Sequence, residues 1–402
     1  MIAIFFAALF LAVLGLTAEL ATRWWIRRHS RYAVWSPATR MEIRQDPRLF
    51  PEVEPRVRFN INADGERGGE APADTDGLFR ILAVGGSSVE CYALDQTTSW
   101  AGRLELLLNH SDALQRLGAR RVHVGNIGHS GVGAAELEII LDRVLPNYDR
   151  LDTILVMVSA STAYHWLEEG APAGHEPPVV PEDALFARGP AQAFGWHPRA
   201  TALLELARRV RQRWFHPVTV KENVGAWIVS GRAMRAAATE IRMTLPDPSG
   251  VLSHFERHFR GALRLAQARA KRVIVLRQPW FEKRYTGEEQ GRFWHGGVGR
   301  PWKEKVNVYF SLDVINRILG LIDQRVVQVA EELGLQHVML QPLLNQGLRH
   351  YYDHDHFTPE GAAVVAQAVA NAVVDPNRSR ETASPPPPPR RITQPRVPLA
   401  AG

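Results

Sequence analysis

The chain has 402 residues, 45% of them apolar and 22% charged, which is typical of a globular protein with one large domain or two smaller ones. Its net charge of +6 derives from arginines after an N-terminal apolar run and in the C-terminal tail. The part between them is therefore not basic, and nucleic-acid binding is not expected. The single cysteine, Cys91, excludes an intrachain disulfide and a cysteine metal cluster.

The first segment, residues 2–22, is almost wholly apolar, with Glu19 as its only charge. A helix of about 20 residues just crosses a hydrocarbon core of about 30 Å. Trp24 and Trp25 follow, where aromatic residues gather at a membrane surface. No basic region precedes the run and no clear cleavage site ends it. We predict a single-pass anchor with a basic flank over 1–31; a signal peptide and a buried helix are the alternatives.

Residues 32–78 are polar and rich in turn residues, which indicates an irregular lead-in. Five short apolar runs without clean alternation follow and indicate strands buried on both faces of a parallel sheet, at 80–85, 121–125, 153–158, 272–277 and 336–340. Helical patterns occur at 98–109, 134–145, 252–270, 312–333 and 359–373. This alternation predicts an α/β fold with a doubly wound five-stranded parallel sheet.

A long segment, about residues 163–251, separates the third run from the fourth and contains several tryptophans, namely Trp166, Trp196, Trp214 and Trp227. We interpret it as an insertion that forms a lid or a substrate-binding subdomain. The α/β domain then covers 79–375. The remaining tail, 376–402, is rich in proline and arginine and is predicted to be disordered.

Three loops that follow predicted strands contain residues suited to catalysis. Gly85-Gly86-Ser87-Ser88 follows the first strand, and a turn of small residues there exposes Ser87 in the crevice where α/β sheets bind ligands. The Ser87 amide would lie near a helix start, where partial positive charge favours an oxyanion. The second loop, residues 126–131, ends in Gly131 and offers a further free amide. Alone, each pattern is equally typical of an ordinary turn or helix cap.

The third loop follows the last strand and contains Asp353, His354, Asp355 and His356 in succession. The spacing of Asp353 and His356 lets the carboxylate hold the imidazole tautomer while the other ring nitrogen faces the sheet edge. Two Asp and two His could instead bind a metal ion, but no further ligand cluster is evident, so we expect neither a metal nor a cofactor. We also expect this loop to be exposed, so that His354 and Asp355 tolerate alanine.

In chain order the three loops resemble the SGNH, or GDSL-like, hydrolase superfamily. Two flanking segments, Asp64-Gly65-Glu66-Arg67-Gly68 and Thr98-Ser99-Trp100, are similar to those of its membrane-anchored members from polysaccharide gene neighbourhoods. The resemblance implies a flavodoxin-like strand order; it covers about 80–160 and 265–375, and so not the insertion after the third strand. It implies Ser87 as the nucleophile, His356 as its base and Asp353 as the third triad member. The amides of Ser87 and Gly131 would bind the oxyanion.

One block departs from the family pattern. The family has Gly-x-Asn-Asp after the third strand, and the Asn side chain is an oxyanion donor; here Ser161 stands where that Asn is expected. A hydroxyl is shorter, and losing one oxyanion donor typically costs ~10²–10³ in rate. Either Ser161 or another donor among His129, Ser130 and Thr162 substitutes, or the chain is a weak or lapsed enzyme.

The resemblance implies a membrane-anchored serine esterase or acyltransferase that acts on acyl esters, with O-acetyl esters of a carbohydrate among the candidates, through an acyl-enzyme on Ser87. Its partners would be an ester-bearing substrate, a polysaccharide among the candidates, and the lipid bilayer. The alternatives are a catalytically lapsed binding or scaffold protein of a membrane-associated polysaccharide assembly, and a lipase acting on membrane lipid. The membrane side stays open, because the arginines after the apolar run favour a cytoplasmic domain while the resemblance favours the outer face.

Overall fold

The computed structural model describes residues 1–344 and 347–375; the tail predicted to be disordered lies outside them. The helices are α1 (Ile2–His29), α2 (Ser87–Glu90), α3 (Trp100–Leu108), α4 (Ser111–Leu117), α5 (Ala134–Val144), α6 (Ala160–Glu168), α7 (Glu182–Leu185), α8 (Ala202–Phe215), α9 (Ala226–Ala236), α10 (Ser249–Gln267), α11 (Gly287–Gln290), α12 (Leu312–Glu332), α13 (Gln341–Leu344) and α14 (Pro359–Val374). The strands are β1 (Arg40–Arg44), β2 (Arg56–Asn60), β3 (Leu78–Gly85), β4 (Arg121–Asn126), β5 (Leu151–Met157), β6 (Val218–Lys221), β7 (Glu240–Arg242), β8 (Ala270–Arg277), β9 (Val308–Phe310) and β10 (Gln336–Met339).

The central sheet has five strands in the order β10-β8-β5-β3-β4, and every neighbouring pair is parallel. These are the five predicted strands, so the doubly wound α/β fold and its flavodoxin-like order are confirmed. Residues of β3 alternate between two cores: Leu82 and Val84 pack in the first, Ile81 and Ala83 in the second. Helices α5, α10 and α12 contribute to the first core and α3 and α14 to the second, which explains why the strands are apolar on both faces.

The lead-in is more regular than its composition indicated. Strands β1 and β2 pair antiparallel, and β6 joins β1 in parallel to complete a three-stranded sheet. Ile43, Val57 and Phe59 are buried on this sheet, and charged residues of the same strands point outward. The expectation of an irregular segment was wrong here: β1 and β2 pair within the segment, and β6 joins them from the insertion, far along the chain.

Two long segments, and not one, interrupt the α/β pattern. The predicted insertion contains α7, α8, β6, α9 and β7, between α6 and α10. A second segment, residues 278–311, lies between β8 and α12 and contains α11 and β9. Strand β9 pairs in parallel with β7, so the two segments are joined beside the carboxyl edge of the central sheet.

Helix α1 is the one helix in the described part of the chain that is long and apolar enough to cross a membrane, a test that a signal sequence near the N-terminus would also pass. Its last third packs against the domain. The Glu19 carboxylate accepts hydrogen bonds from the amides of Ala202 (2.8 Å) and Leu203 (3.0 Å), the first residues of α8. Arg23 pairs with Glu19 at 2.7 Å and stacks over Trp196. Glu19 therefore caps α8, whose first amides have no partner within the helix.

Candidate active site

Ser87 lies just beyond the carboxyl end of β3, at the first position of α2. The chain turns sharply there at Gly85, whose φ is +150°, and a Cβ on Gly85 would lie 1.9 Å from the carbonyl oxygen of Met157. Only glycine fits this close approach. The turn leaves Ser87 partly exposed at the sheet edge, as expected from the sequence.

The third loop brings Asp353 and His356 to Ser87. His356 Nε2 lies 2.7 Å from Ser87 Oγ, and His356 Nδ1 lies 2.8 Å from Asp353 Oδ2. Asp353 accepts three further hydrogen bonds: its Oδ1 from the amides of Asp355 (3.1 Å) and His356 (3.0 Å), and its Oδ2 from the Trp294 indole (2.9 Å). These contacts hold the Asp353 carboxylate against the His356 imidazole, and the imidazole against the Ser87 hydroxyl.

The electrostatics favour an ionised carboxylate beside a protonated imidazole in the resting site. Burial opposes charge on Asp353, but the charge and hydrogen bond of His356 outweigh it and hold the pKa of the carboxyl well below its usual range. Burial likewise opposes charge on His356, but Asp353 and Asp355 together raise the pKa of the imidazole to about 9. The neutral imidazole, which can accept the Ser87 proton, therefore forms towards alkaline pH.

The expectation that this loop is exposed was wrong. Asp353, His354 and Asp355 are 0%, 1% and 1% exposed. Both ring nitrogens of His354 have partners, with Nδ1 3.1 Å from the Tyr164 hydroxyl and Nε2 2.8 Å from Asn316 Oδ1. Burial lowers the pKa of His354 to about 3. The loop is buried because α6 and residues 278–311 cover it, and neither contact is visible in the loop's own sequence.

Gln278, which follows β8 directly, connects the loops of the site and was missed from the sequence. Its Oε1 accepts hydrogen bonds from the amides of Ser159 (3.0 Å) and Ala160 (3.2 Å), at the end of the third strand of the α/β pattern. Its Nε2 donates to Ser88 Oγ (3.0 Å) and Asp355 Oδ2 (3.1 Å). The buried side-chain amide of Gln278 thus holds three segments together: the turn that contains Ser87 (the nucleophile turn), the loop after β5, and the loop of residues 353–356 (the histidine loop). The sequence signal that could have identified Gln278 is that it is a polar residue directly after a buried strand.

The three residues expected at the oxyanion position, Ser87, Gly131 and Ser161, line the same cavity. Gly131 has a φ of +78°, and Ser161 belongs to the first turn of α6, with its Oγ 3.3 Å from where a Cβ of Gly86 would lie. The Ser161 hydroxyl therefore borders the nucleophile turn.

Two of the other donors considered from the sequence are engaged elsewhere. The Ser130 hydroxyl donates to the buried carboxylate of Glu90. Thr162 Oγ1 accepts from the amide of Ala134 at 3.0 Å. His129, the third, packs its ring against Trp35. Ser161 and Ser130 are among the residues that line the cavity over Ser87, whereas Thr162 and His129 are not.

The cavity over Ser87 has a volume of about 540 Å³ and two contrasting walls. One wall is aromatic: Trp227, Trp294 and Trp302 contact one another edge to face, with centroids 4.8–6.4 Å apart. The other is the polar face of α6, with His165 and Glu168. Burial raises the pKa of Glu168 to about 8 against the opposing charge of Arg300, so this carboxyl is largely protonated at neutral pH and can donate a hydrogen bond.

The metal alternative can be tested on the same residues. Ligand atoms of His295, Asp353, Asp355 and His356 lie within 4.8 Å of one another. However, both ring nitrogens of His356 are engaged by Asp353 and Ser87, and Asp353 is already saturated by Trp294 and two amides. A metal ion would have to break these hydrogen bonds, so the donor set fits a proton-transfer site better than a metal centre.

No protein-family model matches the sequence, and a search of curated proteins found no significant relative. Among solved structures, the chain is similar to an acetylxylan esterase from Geobacillus stearothermophilus, with 14% identity, a TM-score of 0.39, and coverage of 73% of this chain and 94% of that one. It is also similar to a member of the lipolytic G-D-S-L family from Veillonella parvula, with 9% identity, a TM-score of 0.37, and coverage of 72% and 96%. Because these scores are low, we base the fold on the strand order and the site on its own geometry.

Proposed function

We propose that the protein is a serine esterase or acyltransferase that acts on acyl esters through an acyl-enzyme on Ser87. The observation that carries this proposal is the chain of short contacts from Ser87 Oγ to His356 Nε2 (2.7 Å) and from His356 Nδ1 to Asp353 Oδ2 (2.8 Å). A hydroxyl, an imidazole and a buried carboxylate in this order are the parts that nucleophilic acyl transfer requires.

In the proposed reaction, neutral His356 takes the Ser87 proton as the hydroxyl oxygen attacks the ester carbonyl. The negative charge that develops on the carbonyl oxygen is stabilised by the amides of Ser87 and Gly131 and by the Ser161 hydroxyl. Protonated His356, held by Asp353, then gives its proton to the leaving alcohol. Water or a second alcohol next attacks the acyl-enzyme, again with His356 as the base. The bond between the acyl carbon and Ser87 Oγ then breaks, and His356 returns its proton to Ser87, so hydrolysis and transfer share every residue of the site.

For the substrate, we propose an ester on a carbohydrate, with O-acetyl groups as the first candidates. The support is the cavity over Ser87: aromatic faces at Trp227 and Trp302 suit a sugar ring, and the protonated carboxyl of Glu168 suits its hydroxyls. The similar acetylxylan esterase acts on such an ester, although its similarity to this chain is low.

We further propose that α1 is retained as a single-pass anchor. The support is twofold: Glu19 accepts from the first amides of α8, and Arg23 donates to the carbonyl of Phe194 in the loop before that helix. Removal of α1 would leave these groups without their partners. Full-length protein should then pellet with membranes and resist carbonate extraction. A cleaved, soluble product would instead indicate a signal peptide.

The experiment for the enzymatic proposal is hydrolysis of p-nitrophenyl acetate and a panel of O-acetylated oligosaccharides by the full chain in detergent. Ser87→Ala should lose activity, and Ser253→Ala, at an exposed serine of α10, should keep it. The second candidate, a catalytically lapsed scaffold protein, is favoured by Ser161 in place of the family's Asn. It predicts no turnover on any ester, with Ser87→Ala indistinguishable from the unmodified chain.

A further inference from the structure

A second cavity, of about 290 Å³, lies where the apolar helix α1 enters the domain. Its lining combines the end of α1, the start of the lead-in, Arg188, whose backbone pairs with that of Ala33, and two residues of the second half of α8, Arg209 and Arg213. Arg80, near the amino end of β3, also borders it, whereas Ser87 follows the carboxyl end of that strand. At about 3.3 Å per residue, the two cavities lie roughly 17 Å or more apart along β3.

Guanidinium groups dominate this second cavity. Five arginines line it, namely Arg31, Arg80, Arg188, Arg209 and Arg213. Arg80 is neutralised by Asp64 (2.8 Å) and Glu66 (3.1 Å). Of the other four, Arg209 lies 2.9 Å and Arg188 lies 3.8 Å from the carboxylate of Glu205. Asp64 also lines the cavity, but its carboxylate pairs with Arg80. The cavity therefore carries an uncompensated positive charge.

The arginines are held in place although their charges repel. Arg209 donates to Ser30 Oγ (2.7 Å) and Gln192 Oε1 (3.3 Å), and Arg188 donates to Gln212. Arg188 Nε is buried and has no hydrogen-bond acceptor among the described residues. Burial and, second to it, the charge of Arg209 lower the pKa of Arg188 to about 10, against the opposing charge of Glu205. A bound anion would supply both the missing acceptor and the missing charge.

We infer that this cavity is an anion site for a phosphate group, distinct from the active site and formed by Arg31, Arg188, Arg209 and Arg213. Phosphate is favoured over a carboxylate because its oxygens point to the corners of a tetrahedron, two of them free in a phosphodiester and three or more in a monoester or inorganic phosphate. They can therefore accept from guanidinium groups on several sides at once. The volume is roughly ten times the ~30 Å³ that one water molecule occupies in the liquid, so a substituted phosphate fits.

The position of the cavity gives access to two sources of phosphate, a phospholipid headgroup and a soluble phosphate compound. The cavity begins at His29 and Ser30, about 12 Å beyond Thr22 at the 1.5 Å rise of a helix. It therefore lies a few ångströms outside the headgroup layer, about 5–8 Å thick, of a membrane crossed by the apolar part of α1. An anionic phospholipid headgroup could enter from that side. A soluble phosphate compound could enter from the aqueous side, since Arg31 and Arg213 are exposed.

Calorimetric titration of the full chain in neutral detergent tests the site, with inorganic phosphate in one arm and dihexanoyl phosphatidylglycerol in the other. Dihexanoyl phosphatidylcholine and chloride at equal ionic strength serve as reference ligands. We expect saturable binding that Arg188→Gln and Arg213→Gln each weaken about tenfold or more, the usual consequence of losing a hydrogen bond to a charged group. Arg211→Gln, at an exposed arginine of α8 outside the cavity, should bind as the unmodified chain does.

The two arms separate the sources. Binding of phosphatidylglycerol without inorganic phosphate assigns the site to a lipid headgroup, and binding of inorganic phosphate at least as strongly assigns it to a soluble phosphate. Arg213 is exposed, so Arg213→Gln keeps the test valid even if Arg188→Gln unfolds the chain. The inference is overturned if neither ligand saturates, or if Arg211→Gln weakens binding as much as Arg213→Gln.

Discussion

Replacing Asp355 with Asn should move the pH dependence of catalysis, because Asp355 acts on His356 through its charge. Asp355 Oδ1 lies 3.6 Å from His356 Nδ1, inside the protein. Two unit charges at this distance interact by about 4–5 kcal/mol at an effective dielectric constant of 20, which sets a ceiling of about three units on the change in pKa. Asp353 contributes more than Asp355 to the raised pKa of His356, so we expect the substitution to lower that pKa by about one unit.

The assay is kcat/KM for ester hydrolysis between about pH 6 and 10. Activity of the unmodified chain should rise with pH towards about 9, where His356 becomes neutral. In Asp355→Asn the rise should occur about one unit lower, so relative activity at pH 7 increases. Asp112→Asn, at an exposed carboxylate on α4, is the control and should leave the profile in place. If Asp355→Asn changes activity by the same factor at every pH, Asp355 is structural and the electrostatic reasoning is wrong.

The raised pKa of His356 also contributes to stability. Because the folded value of about 9 exceeds the ordinary value of 6.5, this contribution is complete below about pH 6.5 and is lost as the pH rises through about 9.

Three further predictions follow from single contacts. Ser161→Asn should preserve or raise esterase activity, because it restores the longer oxyanion donor; a loss of a hundredfold would show that the loop has another geometry. His354→Ala should lower the free energy of unfolding by about 1–3 kcal/mol in denaturant titrations, because it removes the buried hydrogen bonds of the imidazole to Tyr164 and Asn316; an unchanged midpoint would contradict the burial. Glu19→Ala should cost about 1 kcal/mol and speed proteolysis near residues 195–215, because the amides of Ala202 and Leu203 at the start of α8 lose their acceptor; Glu42→Ala, on the lead-in, should not speed cleavage there.

The central sheet could be predicted because each of its strands is recognisable from a few neighbouring residues. Each strand contains a short apolar run, and β3 shows why: neighbouring residues such as Leu82 and Ala83 enter different cores, so no polar residue interrupts the run from Ile81 to Val84. The meeting of Ser87 with Asp353 and His356 follows from the same sheet, because parallel strands end at one edge.

The other elements could not be predicted because their partners are distant in sequence. Strand β1 lies in a polar segment and pairs with β6 of the insertion. The burial of the histidine loop depends on Trp294 and Gln278, which approach it from the segment after β8. Neither contact leaves a periodic signal, and this is why the loop was expected to be exposed.

Labelling of the full chain with a fluorophosphonate, followed by peptide mapping, tests the central claim most directly. A serine activated by His356 attacks the phosphorus, so we predict a stoichiometric adduct on Ser87. The adduct should be absent in Ser87→Ala, strongly slowed in His356→Ala, and unaffected in Ser253→Ala. No adduct, or an adduct on another serine, would contradict the assignment of Ser87 as the nucleophile.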